Sequence, residues 1–188
     1  IAVSVGIVVI NALIILPRNP ELIAERAEAK ENTKGWDRAL TKICTVPYFG
    51  TFLIAGLDNR FGWSPQFDLA TELVALVFVA AGYGLVSWAM VSNKFFSRSV
   101  RIQRERGHAV VTTGPYQYVR HPGYVGIITY SLATPLLLGS LWALIPALLM
   151  VCGMIVRTSL EDKTLQEELD GYRDYAQRVQ YRLMPKIW

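Results

Sequence analysis

The chain has 188 residues, 52% of them hydrophobic and only 18% charged, and it carries a formal net charge of +4. Soluble domains average about 45–50% apolar and about 25% charged residues, so this balance argues against a soluble globular protein. The length calls for no more than one compact unit, and neither composition nor charge suggests a nucleic-acid partner.

The distribution of charge is more telling than its amount. Charged residues are absent from Ile1–Leu16, Ile43–Leu57, Leu73–Asn93 and Gly123–Val156, the last a run of 34 residues. A bilayer demands such runs, because a helix must offer about 20 apolar residues to a hydrocarbon core about 30 Å thick. Five spans are predicted, at 1–16, 40–57, 70–92, 123–138 and 141–157. The expected fold is all-α, a polytopic membrane bundle of about five transmembrane helices forming one integral membrane domain over 1–188.

In chain order, the first span is short, at about 24 Å for a rise of 1.5 Å per residue. It opens at Ile1 without an initiator Met, so residues are expected to precede it and it is not taken for a signal peptide. The second carries Pro47 and Gly50, tolerable in a membrane helix when neighbours satisfy the freed carbonyl. The third is the clearest, and its Gly82-Tyr83-Gly84 follows no strand, so it reads as helix packing rather than a nucleotide fingerprint. Spans four and five are separated by little more than Gly139-Ser140, which leaves only a tight antiparallel hairpin. Cys44 and Cys152 both fall in apolar windows, in no metal-ligand or disulfide spacing. No metal is expected.

Five spans also satisfy the positive-inside rule. They put the 17–42 loop, the 93–122 loop and the tail from Arg157 on one side, with six Lys or Arg in each, and leave only Arg60 opposite. Eighteen of the nineteen basic residues then face the cytoplasm.

Both histidines lie in one loop on that face, between His108 and Tyr124. Val110-Val111, flanked by Gly107 and Gly114-Pro115, reads as a short extended piece between turns. Pro122 suits the first position of span four and excludes His121 from the α region, placing His121 near the N-cap. The free N–H groups there, with Arg120 alongside, suit a carboxylate. The plain alternative is an interfacial linker, with Tyr116, Tyr118 and Tyr124 as an aromatic belt and Arg120 on lipid phosphate.

A second constellation follows span five, where Arg157 and Glu161 lie four residues apart on one helix face. Read plainly, they form an ordinary ion pair, or Arg157 reaches to the headgroups. Leu165, Leu169, Tyr172 and Val179 then make an apolar stripe, predicting a cytoplasmic amphipathic C-terminal helix over 161–179. The ending Tyr181–Trp188 would anchor at the interface.

Together the two segments resemble the isoprenylcysteine carboxyl methyltransferase family in its bacterial and archaeal branch, and the related phospholipid N-methyltransferases. The resemblance rests on His108, Gly114-Pro-Tyr116, Arg120-His121-Pro122-Gly-Tyr124, Arg157-x-x-x-Glu161-Asp162 and Arg182-Leu-Met-Pro185, across about half the chain. It implies a multi-pass enzyme of a bacterial or archaeal inner membrane, with its site and C-terminus cytoplasmic and 93–188 as the cofactor-binding and catalytic half. The implied methyl donor is S-adenosylmethionine, with S-adenosylhomocysteine as product, and the implied acceptor is hydrophobic or lipid-like. On this resemblance His108, Tyr116, His121, Pro122, Gly123, Tyr124 and Glu161 contact the cofactor. Val110, Val111, Gly114 and Arg120 join them from the same loop, with Arg101 or Gln103 from an extended 100–103 segment. Arg157 faces the acceptor, and Arg157 and Glu161 carry the chemistry. The family's paired glutamates are Glu161-Asp162 here, a departure that leaves the second acid without an assigned role. Two alternatives stand beside this reading: an NADPH-dependent membrane reductase related to sterol reductases, and a non-catalytic membrane module.

Overall fold

A computed structural model describes residues 33–188, so the predicted first span at 1–16 lies outside the described residues. The described residues form helices α1 (Gly35–Phe61), α2 (Leu69–Ser92), α3 (Pro122–Leu137), α4 (Leu144–Glu168) and α5 (Tyr172–Arg178), with no strand among them. Two short 3-10 turns, Arg104–Arg106 and Gly114–Gln117, lie in the long connection between α2 and α3.

Helices α1 to α4 correspond to the predicted spans two to five, and their boundaries follow local chemistry. Pro47 sits inside α1 without ending it, and the helix stops at Gly62, whose φ of 65° lets its N–H reach the Asp58 carbonyl at 2.7 Å. Asp68 caps α2 by accepting from the Thr71 N–H at 3.0 Å. Pro122 is the first residue of α3 and His121 its N-cap, as the sequence predicts. The hairpin link is longer than Gly139-Ser140, because α4 starts only at Leu144.

The C-terminal helix differs from expectation. Instead of one helix over 161–179, α4 continues straight through Arg157 and Glu161 to Glu168, and a turn at Gly171 (φ 77°) starts α5 in a new direction. The stripe is buried as predicted, but on two elements: Leu169 and Tyr172 pack with Tyr116, Tyr175 and Ala89, with Leu165 and Val179 beside them. One straight helix could not have wrapped that cluster.

Helices α1, α2 and α4 are long and apolar enough to cross a bilayer, with mean hydropathies of 1.4, 2.0 and 1.6. At 16 residues, α3 is about 24 Å long and falls short of a full hydrocarbon core. The packing is that of an integral membrane protein. Large apolar side chains such as Phe49, Leu53, Val77, Phe78, Leu148 and Leu149 point outward, while Ala55, Ala75, Ala89, Ala133 and Ala147 are buried. With lipid as solvent, contact between helices depends on how closely their backbones approach.

That approach is tightest between α2 and α3. A Cβ on Gly82 would sit 2.7 Å from the Gly126 carbonyl, and one on Gly126 would meet the Gly82 carbonyl and Val86. Gly84 meets nothing within 4 Å, so the packing reading holds for Gly82 alone. Helix α1 lies on α4, where Gly153 admits the Cys44 sulfur and Gly50 meets Pro146. At the end remote from the 93–121 connection, buried Asp58 accepts from Ser64 and Ser140, and the Asn59 amide donates to the Leu138 carbonyl at 2.8 Å. These bonds lock the hairpin link to α1. Gly126→Ala is expected to destabilise the α2–α3 pair by about 1–3 kcal/mol, the range for overpacking, with Gly84→Ala neutral. Thermal unfolding of the detergent-solubilised protein checks both.

Candidate active site

The connection 93–121, the start of α3, the last turns of α4 and helix α5 enclose a cavity of about 290 Å³. That is near the lower end of the roughly 300–1,000 Å³ typical of small-molecule sites. Among the residues singled out by sequence, Arg101, His108, Val110, Val111, Tyr116, Arg120, His121, Gly123, Tyr124, Arg157 and Glu161 all line it. Gln103, Gly114 and Pro122 do not.

Those three act on the wall from behind. Buried Gln103 donates to the Phe95 carbonyl at 2.8 Å and accepts from Arg106 at 2.6 Å, holding the 95–108 loop shut. Gly114 has φ 61°, and a Cβ there would overlap the Ser92 hydroxyl, so it lets the loop cross the end of α2. Pro122 is buried as the first residue of α3.

His108 faces the cavity with its Nδ1 accepting the Gln103 N–H at 3.2 Å and its ring 4.6 Å from that of Phe95. Burial, and then the nearby Arg101 and Arg106, lower its pKa to about 4. It is therefore neutral at neutral pH, with the ring proton on Nε2. Of the three tyrosines of the supposed aromatic belt, only Tyr118 is well exposed. Tyr116 is buried: its hydroxyl accepts from Asn93 at 3.3 Å and its carbonyl accepts the Tyr175 hydroxyl at 2.6 Å.

Asp162 is the residue the sequence left unassigned, and it is wholly buried. Its carboxylate accepts from Arg120 Nε and Nη2 at 2.7 and 3.0 Å, from Arg182 at 2.9 Å, from Tyr172 at 3.0 Å and from Gln166 at 2.7 Å. His121 Nε2 lies 3.2 Å from the same carboxylate. Arg120 gives its remaining donor Nη1 to the carbonyls of Val179 and Gln180, both at 2.8 Å. The Arg120 and His121 N–H groups donate to the Tyr181 and Arg182 carbonyls at 2.9 and 3.0 Å. Arg120 thus edges the cavity but spends its charge on Asp162 and the tail. The segment expected to anchor at an interface is bound to the site loop itself. A sequence signal for Asp162 existed: one acid at i+1 from Glu161 must point away from the face that Glu161 shares with Arg157.

Arg157 and Glu161 do not form the simple ion pair. The Tyr124 hydroxyl donates to Glu161 Oε2, and the Tyr124 ring stands between, its centroid 5.5 Å from the Arg157 guanidinium. Arg157 Nε instead donates to Asp37 Oδ1 at 2.8 Å and Nη2 to the Arg98 carbonyl at 2.7 Å. The Tyr124 ring lies parallel to that of His121, 8° between planes. Two elements separated by more than 30 residues thus present a carboxylate, a guanidinium and two stacked rings to one space. Among the described residues no three His, Cys, Asp or Glu come together to hold a metal ion.

With this geometry, residues 73–167 match the isoprenylcysteine carboxyl methyltransferase (ICMT) family. The chain belongs to that family. It is 37% identical over 145 residues to the protein-S-isoprenylcysteine O-methyltransferase of Schizosaccharomyces pombe, covering 76% of this chain and 57% of that protein. The Mus musculus and Homo sapiens proteins of the same name are 30% and 29% identical, each match covering 72% of this chain and 49% of the relative. The chain therefore spans about half the length of the curated relatives it matches. The matched family is named for carboxyl methyltransferases and not for reductases, so the match lends the reductase alternative no support. The matched region contains the whole His108–Tyr124 loop together with Arg157, Glu161 and Asp162, but not Asp37 or Arg182.

Two measurements follow. Asp162→Ala leaves Arg120 buried without a counter-charge, and loss of one partner from a buried pair typically costs about 3–5 kcal/mol. Reduced unfolding midpoints and early proteolysis of the 169–188 segment are the expected readouts. The lowered His108 pKa contributes stability that is complete above about pH 6.5 and is lost as pH falls from there toward about 4. His108→Gln is expected to flatten that part of the melting-temperature profile.

Proposed function

We propose that the chain is an S-adenosylmethionine-dependent methyltransferase that esterifies the carboxylate of a hydrophobic, isoprenoid-bearing acceptor. The observation that carries this reading is the single cavity in which His121 and Tyr124 meet Arg157 and Glu161. The positive-inside pattern supports a cytoplasmic site and C-terminus, and the bacterial or archaeal inner membrane remains the proposed location.

The side chains suit such a donor. Glu161 Oε1 has no partner among the described residues, and a carboxylate beside the faces of Tyr124 and His121 attracts a sulfonium cation. His108, Val110, Val111 and Tyr116 would hold the nucleoside portion, with Leu165 and Leu169 as apolar cover. Bound there, S-adenosylmethionine supplies a methyl group already activated by its positive sulfur.

The protein's own contribution is then placement and drying. Arg157 directs Nη1, the only guanidinium nitrogen without a partner among the described residues, at an incoming carboxylate. Such an acceptor is ionised at neutral pH, so no general base is required. Phe95, Phe96, Leu165 and Leu169 exclude water that would solvate the nucleophile. An apolar acceptor can arrive sideways from the bilayer.

Labelled methyl donor and an N-acetylated S-farnesylcysteine test the assignment. Turnover by the purified chain is expected, with Arg157→Ala lowering it at least a hundredfold while S-adenosylhomocysteine still binds. Glu161→Gln is expected to weaken S-adenosylmethionine at least tenfold and S-adenosylhomocysteine, whose sulfur is uncharged, much less. Calorimetry showing no affinity for either nucleoside would sink the reading.

A further inference from the structure

Asp37 lies just inside the start of α1, in a stretch the sequence places in a cytoplasmic loop, yet it is only 1% exposed. A buried carboxylate so close to a chain segment of Lys and Arg needs a specific reason. Both of its oxygens are engaged: Oδ1 accepts from Arg157 Nε at 2.8 Å, and Oδ2 accepts the Val100 N–H at 2.9 Å. The backbone adds a further tie, since the Lys34 N–H donates to the Val100 carbonyl at 3.1 Å. Asp37 does not line the cavity, whereas Arg98, Val100 and Arg157 do.

We infer that Asp37 is a positioning residue that sets the orientation and effective charge of Arg157 for the acceptor carboxylate. This rests on the reading that Arg157 faces that acceptor. An arginine at the end of α4 has several rotatable bonds, and a cation with no fixed partner would turn toward Glu161 one helical turn away. Asp37 holds Nε and the Arg98 carbonyl holds Nη2, so the planar guanidinium has one orientation, with Nη1 left over. The Tyr124 ring beneath it completes the seat.

The same contact sets the charge. Paired with Asp37, Arg157 contributes little net positive potential, so the Glu161 carboxylate keeps its pull on a cationic donor. A carboxylate acceptor is then recognised by a directed hydrogen bond more than by an unscreened charge. The acceptor-facing residue is thereby tied to α1 through a contact that no local motif spells out.

Asp37→Asn tests this in the intact chain, because the amide oxygen can still accept the Val100 N–H while the charge and the second acceptor are lost. The expected result is a KM for N-acetylated S-farnesylcysteine raised at least tenfold, with the S-adenosylhomocysteine Kd changed less than twofold. An unchanged KM, or KM and Kd rising together, overturns the inference. If Asp37→Asn binds no S-adenosylhomocysteine, Asp37→Glu is read by the same split, and failure of both marks Asp37 as structural and overturns it. Arg157→Ala separates the two levels. If it leaves the acceptor KM and turnover untouched, or if the unaltered chain does not methylate this acceptor, the underlying reading fails and takes this one with it. If Arg157→Ala is impaired and Asp37→Asn is not, only the inference about Asp37 fails.

Discussion

The site depends on a buried carboxylate that never enters the cavity. Asp162 gathers Arg120, His121, Gln166, Tyr172 and Arg182. These residues belong to the loop before α3, to α4, to α5 and to the tail. Removing charges from water is expensive, and this cluster is tolerated because Arg120 binds the carboxylate through two nitrogens and the tail carbonyls take its third. The consequence is geometric. His121 and, in the first turn of α3, Tyr124 line the cavity where the loop backbone at Arg120 and His121 is hydrogen-bonded to Tyr181 and Arg182. The C-terminal tail braces that wall from behind.

A second buried pair, Asp37 with Arg157, does for the other side of the cavity what Asp162 does for this one. One aspartate steadies the proposed cofactor wall, and the other steadies the proposed acceptor-facing cation. Tyr124 sits between, donating to Glu161 and offering its ring to Arg157. Opposite charges four residues apart on α4 are thereby kept for different partners. The membrane bundle that carries both pairs is held close by small-residue contacts, Gly82 against Gly126 and Gly153 against Cys44.

Much of this was legible in advance, and the legible part has a common cause. Charge-free runs mark α1 to α4 because the bilayer punishes charge wherever it falls in a span. Pro122 marks the start of α3 because proline lacks the donor that an interior helical position requires. Gly114 and His108 stand out because loop glycines and histidines are few. The break at Gly171 was missed because an apolar stripe at helical spacing reads the same whether one helix carries it or two. Arg120 does edge the cavity, but its pairing with Asp162 was hidden for a similar reason, since an arginine's partners are set by which elements pack around it.

Sequence alone determined the membrane character, the position of helices α1 to α4 and the two stretches that bring most of the candidate residues to the cavity. Each follows from local rules of solvation and backbone geometry that act within a few residues. Only the tertiary structure decided that these stretches meet and that Asp162 is a clasp rather than a second cavity-facing acid. The same holds for the pairing of Arg157 with Asp37, 120 residues away, rather than with Glu161 one turn along. Pairings across such distances depend on which helix faces pack together, and that is a property of the assembled bundle and of no segment within it.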